Sequence, residues 1–253
     1  MQLNFQCHGD GFPLIILHGL FGSLDNWQTI ARNLGQSYQV FTLDLRNHGR
    51  SPHSDIFNYA VMAEDLREFM AAQNLPRAYI MGHSLGGKTA MHFALRHPEL
   101  VEKLIVVDMA PKAYPPVFAP IFKALLALDL ASFRERSEIA DALTPAIPEM
   151  ALRQFLVKNV TRDDTGAFRW KMNLPVIHRN YGVLTAAIET DRTFSGPALF
   201  IKGELSNYLL EGDAALIHKL FSRATMKTIA HAGHWVHADA PEQLMKVVCN
   251  FLR

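Results

Sequence analysis

The feature that most constrains this chain is Gly82-His83-Ser84-Leu85-Gly86, a G-x-S-x-G run with the apolar segment AYIM before it and a helical pattern after it. A serine between a buried strand and a helix sits on a turn so tight that its backbone is strained, with its hydroxyl projecting from the sheet edge. A side chain at Gly82 or Gly86 would clash across that turn. The following helix start offers free N–H groups to a developing negative charge. Without this context the motif is only a glycine-rich turn with a serine in it. Within it, Ser84 is the expected nucleophile.

The surrounding pattern supplies the fold. Pro13–Leu17, Gln39–Leu45, Ala78–Met81 and Leu104–Val107 read as buried strands, being apolar over most of their length. Helical spacing separates them: Trp27, Ile30, Ala31 and Leu34, then Tyr59, Met62, Leu66, Phe69 and Met70 within Asn58–Gln73, then Lys88–Arg96. Strand and helix alternating in this way predict an α/β fold with a mostly parallel sheet and helices on both faces. From Pro111 to Ser195 the alternation stops. Seven prolines punctuate that stretch, with apolar helical pieces at Ile121–Leu130 and Met150–Val160. The rhythm resumes with Pro197–Ile201, a helix near Asp213–Leu220, a strand at Thr225–Ile229 and a closing helix. Asp239-x-x-Glu242 reads as that last helix's capping box, with Pro241 in its first turn. The expected organisation is a core of residues 1–110 and 196–253 interrupted by a helical cap of residues 111–195.

A serine nucleophile needs a base, an acid and an oxyanion hole. After the last strand comes His231-Ala232-Gly233-His234-Trp235-Val236-His237, at the carboxyl edge it shares with Ser84. His234, after a glycine and between strand and helix, is the expected base; His231 and His237 are expected loop or cap-facing residues. A zinc site on the three histidines is disfavoured, because a short loop has no one face presenting all three and carboxylate or thiolate company is lacking. His18-Gly19-Leu20-Phe21-Gly22 ends the first buried strand, and the backbone N–H groups of Leu20 and Leu85 are the expected oxyanion donors. His18 is expected to hold the loop rather than to react.

The acid is less direct. After Pro197–Ile201 the chain reads Lys202-Gly203-Glu204-Leu205-Ser206-Asn207, with Ser206 and Asn207 on the strand-end loop where an Asp partner for the histidine is expected. Asp108 instead ends the apolar strand LIVV, and burying an aspartate there without a partner is costly. Asp108 is the expected acid and Glu204 the second choice; Asp108 as a plain loop cap is the bland alternative. The loop Asp44–Ser51 is expected to be held by an Asp44–Arg46 contact, with His48 a packing residue.

HGLFGSLDNW, DLRNHGRSP, GHSLGGK, VVDMAP and GHWVHADAPE together resemble the YbfF-type esterases of the α/β-hydrolase superfamily. The likeness runs from about residue 13 to the C-terminus and is weakest in the cap, where Phe168–Pro175 is similar in kind. It implies the α/β-hydrolase fold, an acyl ester or thioester substrate, and an acid after the family's sixth strand, a position that matches Asp108.

With 49% hydrophobic residues the chain can bury a large core, and 25 basic against 24 acidic residues leave a net charge of +1. No long single-sign run offers a nucleic-acid surface. No stretch reaches the roughly 18 apolar residues of a membrane span. The opening residues lack a basic region followed by an apolar one, so the expected location is the cytoplasm. Cys7 and Cys249 are expected to be reduced, buried thiols. No metal or organic cofactor is expected, and the expected state is a monomer or weak homodimer. The substrate expectation is a short to medium acyl chain seated under an apolar cap. Two rivals stand beside it: a carbon–carbon bond hydrolase using cap cations Arg134, Arg153 or Lys158, and a non-catalytic binding module. Dehalogenation is disfavoured because it would need Asp at position 84.

Overall fold

A computed structural model describes residues 1–253. Nine strands are present: β1 (Phe5–His8), β2 (Pro13–Leu17), β3 (Gln39–Leu43), β4 (Ala78–His83), β5 (Val101–Val107), β6 (Val160–Arg162), β7 (Phe168–Trp170), β8 (Phe194–Gly203) and β9 (Phe221–Ile229). Seven form one sheet in the order β1-β3-β2-β4-β5-β8-β9. All its neighbours are parallel except β1 and β3. β1 is an edge strand with exposed polar positions, so it carries no continuous apolar signal. The α/β-hydrolase fold read from the sequence is the fold observed, a mostly parallel sheet covered on both faces.

The helices are α1 (Gln28–Leu34), α2 (Tyr59–Ala72), α3 (Leu85–Arg96), α4 (Ala119–Ala127), α5 (Arg136–Ala142), α6 (Met150–Val157), α7 (Leu174–Arg179), α8 (Tyr181–Thr185), α9 (Ala214–Leu220), α10 (Val236–Asp239) and α11 (Pro241–Leu252). Side-chain alternation splits the core in two. Ile15, Leu17, Ile80, Leu104 and Val106 point to the face covered by α2 and α3, while Leu14, Ile16, Met81, Ile105 and Val107 point to α1 and α11. β2 and the Leu104–Val107 end of β5 are therefore apolar at every position. Apolar residues of the segment between β5 and β8, such as Phe122, Leu156 and Ile177, join the first cluster.

The segment 111–195, read as mostly helical, also holds one short antiparallel hairpin, β6 with β7, whose strands of three residues are too short for a period-two signal. Three expectations are corrected. Asp239 does not cap α11; it ends α10, and its carboxylate accepts from Gly233 N–H at 2.8 Å, leaving Ala240 as N-cap. Arg46 does not bond Asp44. Its guanidinium clasps buried Asp65 of α2, with Nη2 donating to Oδ1 at 2.7 Å. Asp44 instead accepts from the Leu24 and Arg50 amides and from Asn4 Nδ2. Cys7 is exposed on β1, and Cys249 is half-buried in α11.

Candidate active site

The residues singled out in the sequence meet at the carboxyl edge of the parallel strands. Ser84 lies between β4 and α3 with φ 53° and ψ −115°, a conformation that costs a non-glycine residue of order 1–3 kcal/mol and persists only where surrounding structure enforces it. The enforcement is visible. A Cβ on Gly82 would lie 2.1 Å from Gly86 O, and one on Gly86 would lie 2.4 Å from Leu17 O. Ser84 N–H also donates to Val107 O at 3.1 Å, tying the turn to the next strand. Asp108 and Phe21 share positive φ, at 49° and 59°, so strained backbone marks three neighbouring strand ends.

Asp108 is fully buried. Its Oδ1 accepts from Gly203 N–H at 3.1 Å, and its Oδ2 accepts from Ser206 Oγ and, at 2.7 Å, from His234 Nδ1. A buried carboxylate with three donors meets its hydrogen-bonding requirement without a cation. Nδ1 bound to a carboxylate leaves Nε2 as the basic nitrogen of a neutral His234 ring. That ring stacks on Tyr208, with centroids 3.7 Å apart and an 18° interplanar angle. His83 Nε2–H donates to the His234 carbonyl at 2.8 Å, linking the loop to the Ser84 turn.

The other histidines separate cleanly. His231 is exposed, and its N–H donates to Glu204 Oε2 at 2.8 Å, so Glu204 braces a surface turn and does not reach His234 by any hydrogen bond. His237 stacks on Trp27 at 4.6 Å, and burial pushes its pKa down to about 4. Burial also holds His83 well below the ordinary histidine value. His18 accepts from Leu45 N–H through Nε2 and donates to Gly19 O through Nδ1, the loop-holding role expected of it. His48 packs on His18 and Phe57.

Ser84, Leu20 and Leu85 line one cavity of about 160 Å³. Tyr59, Tyr114, Phe118, Tyr181, Leu184 and Tyr208 supply most of the remaining wall, and no cationic side chain does. Arg134, Arg153 and Lys158 are absent from it; Arg153 bonds the Ile147 and Pro148 carbonyls, and Lys158 borders a separate polar cleft. Sequence reasoning missed Tyr208 and placed Ser206 at the usual acid position without foreseeing its hydrogen bond to Asp108. The distance from Ser206 to Asp108 is a property of paired strand ends and carries no local signature.

Residues 13–241 match the α/β-hydrolase fold family model. Esterase YbfF of Escherichia coli is 34% identical over 100% of this chain and 99% of its own length. The sn-1-specific diacylglycerol lipase ABHD11 of Xenopus laevis is 38% identical over 96% of this chain and 80% of its own. A solved marine microorganism esterase superposes with a TM-score of 0.97 at 44% identity, covering 99% of both chains. The chain belongs to the α/β-hydrolase family, and within it to the YbfF-type esterases, as a carboxylic ester hydrolase.

Proposed function

We propose that the protein hydrolyses short- to medium-chain acyl esters or thioesters through a Ser84–His234–Asp108 triad. Asp108 holds the His234 tautomer with Nε2 free and stabilises the imidazolium as it forms. His234 takes the Ser84 proton while Oγ attacks the substrate carbonyl. The N–H groups of Leu20 and Leu85 receive the oxyanion; first-turn amides such as that of Leu85 have no partner inside their helix. His234 then protonates the departing alcohol or thiol, and water repeats the sequence on the acyl-enzyme. None of these steps needs a metal or organic cofactor.

Residues 111–195 act as the cap over the acyl group. An apolar cavity of about 150 Å³ accepts a benzene-sized ligand, so the 160 Å³ at Ser84 suits an acyl chain of roughly that carbon count. The absence of cations from this wall argues for an uncharged acyl group and against a carbon–carbon hydrolase gripping an organic acid. The lipase name of the Xenopus relative adds diacylglycerol to the esters worth testing. The observation that carries the reading is the 2.7 Å His234–Asp108 hydrogen bond beside a strained Ser84.

Its test is Ser84→Ala assayed on graded p-nitrophenyl esters, acyl-CoA thioesters and diacylglycerol, with a fluorophosphonate probe alongside. The expected loss is on the order of 10⁴-fold or more, leaving only binding and oxyanion stabilisation. Turnover or labelling near the wild-type level rejects the assignment.

A further inference from the structure

Two cationic side chains are buried, Arg46 and Lys88. Arg46 is accounted for by Asp65. Lys88 is fully buried in α3 and has no carboxylate within ion-pair distance, an arrangement lysines almost never adopt. Its Nζ donates to Ala186 O and lies 5.0 Å from the Tyr114 ring centroid and 5.9 Å from that of Tyr59, within cation–π range. Burial drives its pKa down to about 8. A side chain kept in so unfavourable a position, one helical turn beyond Ser84, calls for a function.

Its partner is the end of α8. The last carbonyls of a helix lack intrahelical donors, and here three consecutive ones are each taken by an outside group. Tyr59 Oη donates to Leu184 O at 2.7 Å, Tyr114 N–H to Thr185 O at 2.8 Å, and Lys88 Nζ to Ala186 O. Tyr181, Leu184 and Thr185 wall the cavity at Ser84, and so do Tyr59 and Tyr114. Lys88 N–H itself donates to Ser84 O at 3.0 Å. One residue thus connects the backbone of the serine turn to the wall that an acyl chain would meet.

We propose that Lys88 is a positioning residue that sets acyl-chain length: it ties the α8 wall to the helix carrying Ser84 and keeps the cavity short. This rests on the cavity being the acyl site. Released from Ala186, the α8 end keeps the Tyr59 tie at Leu184 O, the Tyr114 tie at Thr185 O and the Ile188 N–H bond to Pro111 O at 2.8 Å, so the freed Ala186 carbonyl lies in the one stretch between ties that can shift outward.

The test is Lys88→Met, which keeps the length of the side chain and removes donor and charge. Lys88 has no ion-pair partner, so its loss strands no opposite charge, and the cost is that of the one unpaired Ala186 carbonyl; the variant is expected to fold. Measured on p-nitrophenyl butyrate and octanoate, the octanoate-to-butyrate ratio of kcat/KM should rise about tenfold, the scale on which pockets discriminate one or two methylenes. Amide hydrogen exchange should quicken over residues 181–188. A folded Lys88→Met with an unchanged ratio, or a changed ratio without faster exchange there, overturns the proposal. If that variant does not fold, Tyr59→Phe removes the neighbouring tie and should move the ratio the same way by a smaller factor; no movement is again fatal. Failure of the underlying acyl-site reading shows separately, as retained esterase activity in Ser84→Ala.

Discussion

Asp108 Oδ2 and His234 Nδ1 lie 2.7 Å apart although 126 positions separate the two residues in the chain. Asp108 directly follows β5 and His234 lies after β9, with β8 between those strands. Ser206, in the loop after β8, donates to the same carboxylate oxygen as His234. The loop after β8, where Ser206 and Asn207 stand in place of an aspartate, thus contributes a donor to the Asp108 carboxylate on the neighbouring strand end.

The first prediction concerns that acid. Asp108→Asn should lower kcat/KM by up to about 10⁴-fold, because an amide favours the wrong histidine tautomer. Glu204→Gln should stay within a few-fold of wild type, since its carboxylate bonds the His231 amide on the surface. Combining Asp108→Asn with Ser206→Asp should restore part of the rate by returning a carboxylate to the same group of donors. Steady-state kinetics of the three variants decide the matter, and a crippled Glu204→Gln would move the acid to the loop after β8.

His234→Ala should be nearly inactive towards p-nitrophenyl acetate. His231→Ala, on an exposed turn, should retain close to full activity. His237→Ala removes a ring stacked on Trp27 and should cost more stability than rate. Paired thermal melts and initial rates separate the two effects, and an inactive but stable His237→Ala would mean the base is misassigned.

Stability should depend on pH through the buried histidines. Burial lowers the pKa of His18 from 6.5 to about 4, so between those values the unfolded chain binds a proton that the folded one does not. The sign follows from linkage: stability is level above about pH 6.5 and falls as pH drops towards 4, by roughly 3 kcal/mol for this one group. His48, His92 and His237 are shifted in the same direction by the same cause. Urea midpoints from pH 8 to pH 4.5 should show a plateau and then a decline; a midpoint that rises on acidification contradicts this.

Gly82→Ala should be more damaging than any of these to the fold itself. The added Cβ meets the backbone carbonyl of Gly86 at 2.1 Å, where no flexible side chain can yield. A loss of several kcal/mol, the range of severe backbone strain and overpacking, should appear as a sharply lowered unfolding midpoint together with lost activity.

Much of this molecule is determined locally. A strand buried on both faces is mostly apolar, and an elbow serine must have small neighbours, so six of the sheet's seven strands, their order along the chain and Ser84 are legible from residue type and spacing. Helix α2, capped by Asn58, begins where its apolar period begins for the same reason. Other features depend on what the chain brings together across the sheet. Asp65 pairs with Arg46 in place of Asp44, because α2 lies over the loop after β3 and offers a buried carboxylate in the right place. The β6–β7 hairpin, the stacking of Tyr208 on His234, and the tie from Lys88 to Ala186 leave no periodic trace, since each joins residues distant in sequence. Asp108 shows both sides: a lone aspartate at the end of an apolar strand announced that it needed a partner, but only packing of the β5, β8 and β9 ends decided that His234, Ser206 and the Gly203 amide would all be there to meet it.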